Sequence, residues 1–203
     1  MYYDFHTMEA IASFSKSIRF DSTCAVAWYG KALALKPTIN FGKDFRVVPA
    51  AYNDALTVKK REFSCTSMEK DLIDAIGLRY STDTLADLKA LGDHYTGLMK
   101  QVSEKYAQNA DIVCFYADAL MLEHPWDLYD GNLQSKPWTP LILNILQKAL
   151  AIDSLHPGAN HFIVQSLEGS AHPEDALKNA EMLATLMPDM APYCTHAFSY
   201  LYT

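Results

Sequence analysis

The side chains best suited to chemistry gather late in the sequence. His156 and His161 flank a Pro-Gly turn, and Glu168 follows His161 by seven residues, which on a helix brings imidazole and carboxylate to one face. His172 and His196 come after them. Helices present metal ligands in this way, and a second helix can complete the three or four that a metal needs. His156, His161, Glu168 and His196 therefore form a candidate metal set, and a metal ion is the one cofactor to consider. A structural reading competes with it: His156 and His161 cap or buttress helix ends, while Asn160 and Glu168 satisfy backbone groups. A second cluster lies between His124 and Trp138, fifteen residues holding Trp126, Tyr129, Trp138, Asp127, Asp130 and Gly131. Asp127-x-x-Asp130-Gly131-Asn132 has the start of a calcium loop but lacks its alternating acids and distal Glu. No G-x-S-x-G, phosphate-cradling glycine loop or H-E-x-x-H occurs, so nothing points to a nucleophile or a zinc protease. Cys24, Cys65, Cys114 and Cys194 fall in or beside expected helices and read as small core residues rather than nucleophiles.

The elements that must position these groups are helical. The chain has 203 residues, 50% of them hydrophobic, enough for a sizeable core in a single domain over 1–203. Glycine numbers only 8, and apolar residues recur at three and four, as in Ala10, Ile11, Phe14, Ile18 and in Ile142, Ile145, Leu146, Ala149. No run alternates with the period of two that a strand would need. The periodicity predicts an all-α chain of about ten helices near 7–20, 24–36, 49–63, 67–80, 84–106, 110–123, 139–152, 158–169, 173–187 and 191–202. Thr66-Ser67 with Glu69 opens the fourth, Thr82-Asp83 the fifth and Pro173 the ninth. Most connections are short, so neighbouring helices should pack antiparallel. Pro37 to Val48 and His124 to Trp138 are the long ones. No apolar run reaches 18 residues and the first residues lack a secretory signal, which predicts neither a membrane span nor export. Scattered cysteines without a C-x-x-C pair predict reduced thiols in a cytoplasm.

A spacing then repeats. Ala176, Ala180, Leu183 and Pro188 match the second helix of a tetratricopeptide repeat. Ala10, Phe14, Ser17 and Ser22 follow the same spacing, as do Ile142, Leu146, Ala149 and Ser154, and more loosely Tyr95, Met99, Val102 and Ala107. First-helix patterns come as Ala25, Trp28, Ala32, Leu35 and as Val113, Tyr116, Ala117, Leu120, with Ala32 and Ala117 small where two helices must approach. The chain thus resembles an α-solenoid of stacked helical hairpins. Phe5-His6, Cys24-Ala25 with Trp28-Tyr29-Gly30, Ala119-Leu120-Met121 with Pro125-Trp126-Asp127, and His156-Pro157-Gly158-Ala159-Asn160-His161 further resemble a bacterial, functionally uncharacterised family of such proteins. That resemblance implies a longer array, with more repeats beyond Thr203. It also implies a further histidine where this chain has Gln165 and a His-rich stretch where it has Tyr193 to Tyr200. Only His196 is kept there, which thins the metal set. The apolar and aromatic run from Ala191 to Tyr202 is a poor solenoid cap, which favours a fragment of a longer array, with self-association through that helix second.

Charge is uneven. Residues 36–79 carry 8 basic and 6 acidic groups, whereas residues 80–203 carry 6 basic and 15 acidic ones. A net charge of −7 without a basic stripe argues against nucleic acid, and the acidic half suits a basic or amine-bearing partner. The expected function is therefore a protein-interaction scaffold that takes a peptide or a partner's helix on its concave face. Tyr29, Tyr116 and Asn160, with Trp126 and Tyr129 of the long loop, are the partner-binding candidates, and for the loop a structural plug across a repeat junction is the competing reading. A metal-binding protein or metal-dependent enzyme built on the histidine cluster is the alternative.

Overall fold

A computed structural model describes residues 3, 7–35, 49–60, 65–83 and 85–187. Among them every regular element is helical, apart from one isolated bridge between Tyr129 and Ser135. No helix among them is long and apolar enough to cross a membrane. No disulfide joins Cys24, Cys65 or Cys114 among the described residues. The chain divides into two compact units, Met1–Lys105 and Tyr106–Thr203.

The first unit contains α1 (Thr7–Phe20), α2 (Ala25–Ala34), α3 (Pro49–Lys59), α4 (Ser67–Arg79) and α5 (Leu88–Lys105). Each packs on the next in sequence, and α2 also meets α4. Gly30 sets the approach of α1 to α2: a Cβ there would lie 2.3 Å from the Phe14 ring, so only glycine admits that ring. Ala32 is fully buried. Lysine–aspartate pairs tie the successive junctions: Lys31 with Asp54 at 3.1 Å, Lys59 with Asp74, and Lys105 with Asp71 at 2.6 Å. The last two are solvent-exposed enough to contribute little each. Deeper in, the Arg79 guanidinium lies 4.5 Å from the centre of the Tyr95 ring, and the buried Tyr80 hydroxyl donates to the Ala32 carbonyl at 2.6 Å.

Helix starts follow local chemistry. Thr66 and Glu69 form a reciprocal capping box on α4, where the sequence places one. The fifth helix begins at Leu88 rather than at 84, because Asp87 is the residue whose carboxylate accepts the first free N–H groups, those of Lys89 and Ala90. Asp83 instead holds a local turn, accepting from the Leu85 N–H.

The second unit contains α6 (Ala110–Glu123), α7 (Thr139–Ile152), α8 (Pro157–Leu167), a 3-10 turn (Pro173–Ala176) and α9 (Leu177–Leu186). Pro173 thus opens a 3-10 turn and not the α-helix itself. Asn109 caps α6 by accepting the Ile112 N–H at 3.0 Å. α6 packs on α7, α7 on α8 and α8 on α9, and α6 also meets α8. Two contacts fix how α6 and α8 lie. Asp111 meets His156 at their first turns, and the Ser166 hydroxyl reaches the Met121 sulfur near their ends. Both pairs are separated by 45 residues, so the two helices run parallel in constant register. Ile142, Leu146, Ala149, Met121 and Phe162 fill the space between them and α7, while Val164, Ala176, Ala180 and Leu183 close the junction with α9. The last expected helix, 191–202, and with it His196 and Cys194, lies outside the described residues.

Candidate functional site

The histidine-rich stretch is a clasp. Pro157 and Gly158 are not a turn between two histidines but the first residues of α8, where proline's missing N–H leaves nothing unsatisfied. His156 is the N-cap. It is only 3% exposed, and its Nδ1 accepts the Ala159 N–H at 3.0 Å. A backbone N–H can only donate, so Nδ1 carries no proton and Nε2 holds the hydrogen that points to the Asp111 carboxylate at 3.1 Å. Both ring nitrogens are thereby engaged, Nδ1 in capping α8 and Nε2 in joining it to α6. Asn160, 2% exposed, continues the network. Its amide donates to the carbonyls of His156 at 2.9 Å and Ser154 at 3.3 Å, and its Oδ1 accepts from Asn179 of α9 at 2.8 Å. One end of the second unit is therefore held by a polar network reaching α6, the α7–α8 connection, α8 and α9.

His161 is half-buried with its ring 5.8 Å from that of Phe162, and Glu168 is the residue after the last turn of α8. Among the described residues no three His, Cys, Asp or Glu side chains converge as a metal site requires, and His196 lies outside them. His172 is exposed and pairs with Glu174 at 3.1 Å. The geometry of His156 and Asn160 is that of structural groups satisfying buried polar atoms.

The opposite end of the unit is built differently. The loop from His124 to Trp138 is ordered by its own side chains. Trp138 stacks on His124 with ring centres 3.8 Å apart and donates its indole N–H to the Asp127 carbonyl at 2.7 Å. Leu128 is the buried anchor, its carbonyl accepting from the Thr139 hydroxyl and from the Lys136 N–H. Asp130 organises the tip: one carboxylate oxygen accepts the N–H groups of Asn132 at 2.8 Å and Gln134 at 3.0 Å. Those bonds, that to Gln134 above all, hold its carboxyl below the usual range. Tyr129 leans on the turn after α8, where a Cβ on Gly169 would lie 3.5 Å from its ring, and it hydrogen-bonds Ser170. Burial raises its phenol above the ordinary value, and the Ser170 bond opposes that rise.

Two residues of this loop combine exposure with unusual backbone. Trp126 has φ 58° and Leu133 has φ 61°, the non-glycine residues with left-handed backbone among those described. Each costs about 1–2 kcal/mol relative to an ordinary conformation. Both are large and apolar, and both are half-exposed, at 51% and 50%. Such strain persists only where the surrounding structure over-determines it, as the hydrogen bonds of Asp130, Leu128 and Trp138 do here.

The other expected partner-binding residues lie elsewhere. Tyr29 of α2 and Tyr116 of α6 are buried in their helix packing, as is Asn160 in the clasp, so none presents a surface. Tyr129 is half-buried and acts as a brace. Of the five, Trp126 is the one that stands out into solvent. Leu133 has no sequence signal, since its exposure follows from the turn that Asp130 builds. No protein-family model and no curated protein matches this chain.

Proposed function

We propose that this chain is a tetratricopeptide-like docking scaffold whose contact surface includes the loop 124–138, with Trp126 and Leu133 touching a partner protein. The supporting observation is the paired display of those two side chains on strained backbone. The constant offset of 45 residues between α6 and α8 adds a second. A tetratricopeptide repeat has a period of about 34 residues, so the loop corresponds to an insertion of about eleven. Insertions in repeat arrays sit on one face, often the binding face. On this reading the recognition surface is the rim carrying the loop, and the buried Tyr29, Tyr116 and Asn160 serve the fold. The compartment suited to cysteines that no disulfide joins is the cytoplasm.

The test is photo-crosslinking in cells. A benzoylphenylalanine in place of Trp126 or Leu133 should trap a discrete protein species, whereas one in place of exposed Gln147 on α7 should not. Equal trapping from all three positions, or none from the loop, would refute the proposal.

A further inference from the structure

The two ends of the second unit differ in charge-bearing elements as well as in order. Because α6 and α8 run parallel, both finish at the loop end, and α7 and the 3-10 turn begin there. Glu123, Asp127, Asp130, Glu168, Glu174 and Asp175 are therefore brought to that end. Against them, among the described residues, stand Lys136 and Lys178, and Lys136 already lies 3.4 Å from Asp127. Trp126 and Leu133 stand exposed at the same end.

We infer that the occupant of the loop is a basic protein segment, one in which lysine or arginine alternates with apolar residues. This rests on the loop being the docking surface. The apolar pair alone would accept many partners, and the charge selects among them. An acidic segment would meet mostly like charge, whereas a basic one gains long-range attraction and faster encounter. An exposed indole face attracts ammonium and guanidinium groups more strongly than any other side-chain ring does, so Trp126 serves the apolar and the cationic residues of the same segment. The charge is durable. The carboxyls of Asp130 and Glu174 are both held below their usual range, the first by the N–H groups of Gln134 and Asn132, the second by its own N–H and by His172. Those two carboxylates therefore keep their charge further into acid than an unperturbed carboxyl does.

The probe is a displayed library of random twelve-residue peptides, selected on the full chain. Enriched peptides are resynthesised and titrated by fluorescence anisotropy. They should carry net positive charge. They should lose about tenfold or more in affinity on Trp126→Ala/Leu133→Ala, and weaken by a similar factor between about 0.05 and 0.5 M salt. Glu174→Gln/Asp175→Asn, which leaves the loop intact, should weaken them less but measurably. Trp126→Gly suits the left-handed backbone and separates loss of the ring from loss of fold. Neutral or acidic peptides that still depend on Trp126 and Leu133 would overturn the basic partner and leave the docking loop standing. Peptides indifferent to the double variant, or a library yielding no binder, would overturn the docking loop as well.

Discussion

His156 offers the sharpest test of how the second unit is held. Replacing it with alanine removes three contributions. Losing the N-cap to Ala159 costs about 1 kcal/mol. Losing the Nε2 hydrogen bond costs about 0.5 kcal/mol, a low figure because the Asp111 side chain is 62% exposed and solvent screens it. Emptying a site where the ring is 4% exposed costs about 1–2 kcal/mol in burial and cavity terms. His156→Ala should therefore lose about 3 kcal/mol, a large share of the roughly 5–15 kcal/mol that stabilises a domain. His156→Asn keeps a good cap and should recover about 1 kcal/mol of that loss. Asp111→Ala should cost about 0.5 kcal/mol with histidine present and nothing measurable with asparagine. The assay is urea denaturation in a Trp28→Phe background, so that indole fluorescence comes from Trp126 and Trp138 of the second unit alone. If His156→Ala fell within 0.5 kcal/mol of the parent, or asparagine did no better than alanine, the capping account would be wrong. Zinc that raised the midpoint of the parent and not of His156→Ala would make the imidazole a metal ligand instead.

Other outcomes follow from the same packing. Gly30→Ala places a methyl group 2.3 Å from the Phe14 ring, so it should destabilise by about 1–2 kcal/mol despite a better helix propensity, and Phe14→Leu in the same chain should recover most of the loss in a thermal melt. Burial pushes the Tyr80 phenol far above its ordinary value. The unfolded chain then ionises first as pH rises past about 10, and stability should fall from there upward. Urea midpoints between pH 8 and 10.5 should show that slope, and Tyr80→Phe should flatten it. Asp130→Ala removes the oxygen that accepts from Asn132 and Gln134. It should speed proteolytic cleavage within 128–136 while leaving far-UV ellipticity unchanged.

Helices were legible because their signals are local. The α6 and α7 boundaries, Ala110–Glu123 and Thr139–Ile152, fall where periodicity and caps place them. The start of α5 was not, because Thr82-Asp83 and Asp87 are equally good caps in sequence and only packing decides which one opens a helix. The histidine stretch shows a different limit. A capping imidazole and a metal-bound one have the same spacing, and the difference lies in Asp111, distant in sequence and brought close by the parallel course of α6 and α8. Trp126 stood out by type. Leu133 did not, since left-handed backbone at a leucine depends on a turn held by a carboxylate three residues earlier. Tyr29 and Tyr116 look like groove residues in a repeat pattern, but periodicity cannot say which side of a first-type helix faces its neighbour.

The clasp at His156 and Asn160 aligns α6, α8 and α9 from the end remote from the loop. Register between those helices is thus held at that end independently of residues 124–138, whose Tyr129 braces only the turn after α8. The loop becomes an interchangeable cassette: its length and tip can drift, or be grafted from another source, while the helical frame keeps its alignment. With the loop docking a partner as proposed, specificity can diversify at one pole because the frame is anchored at the other.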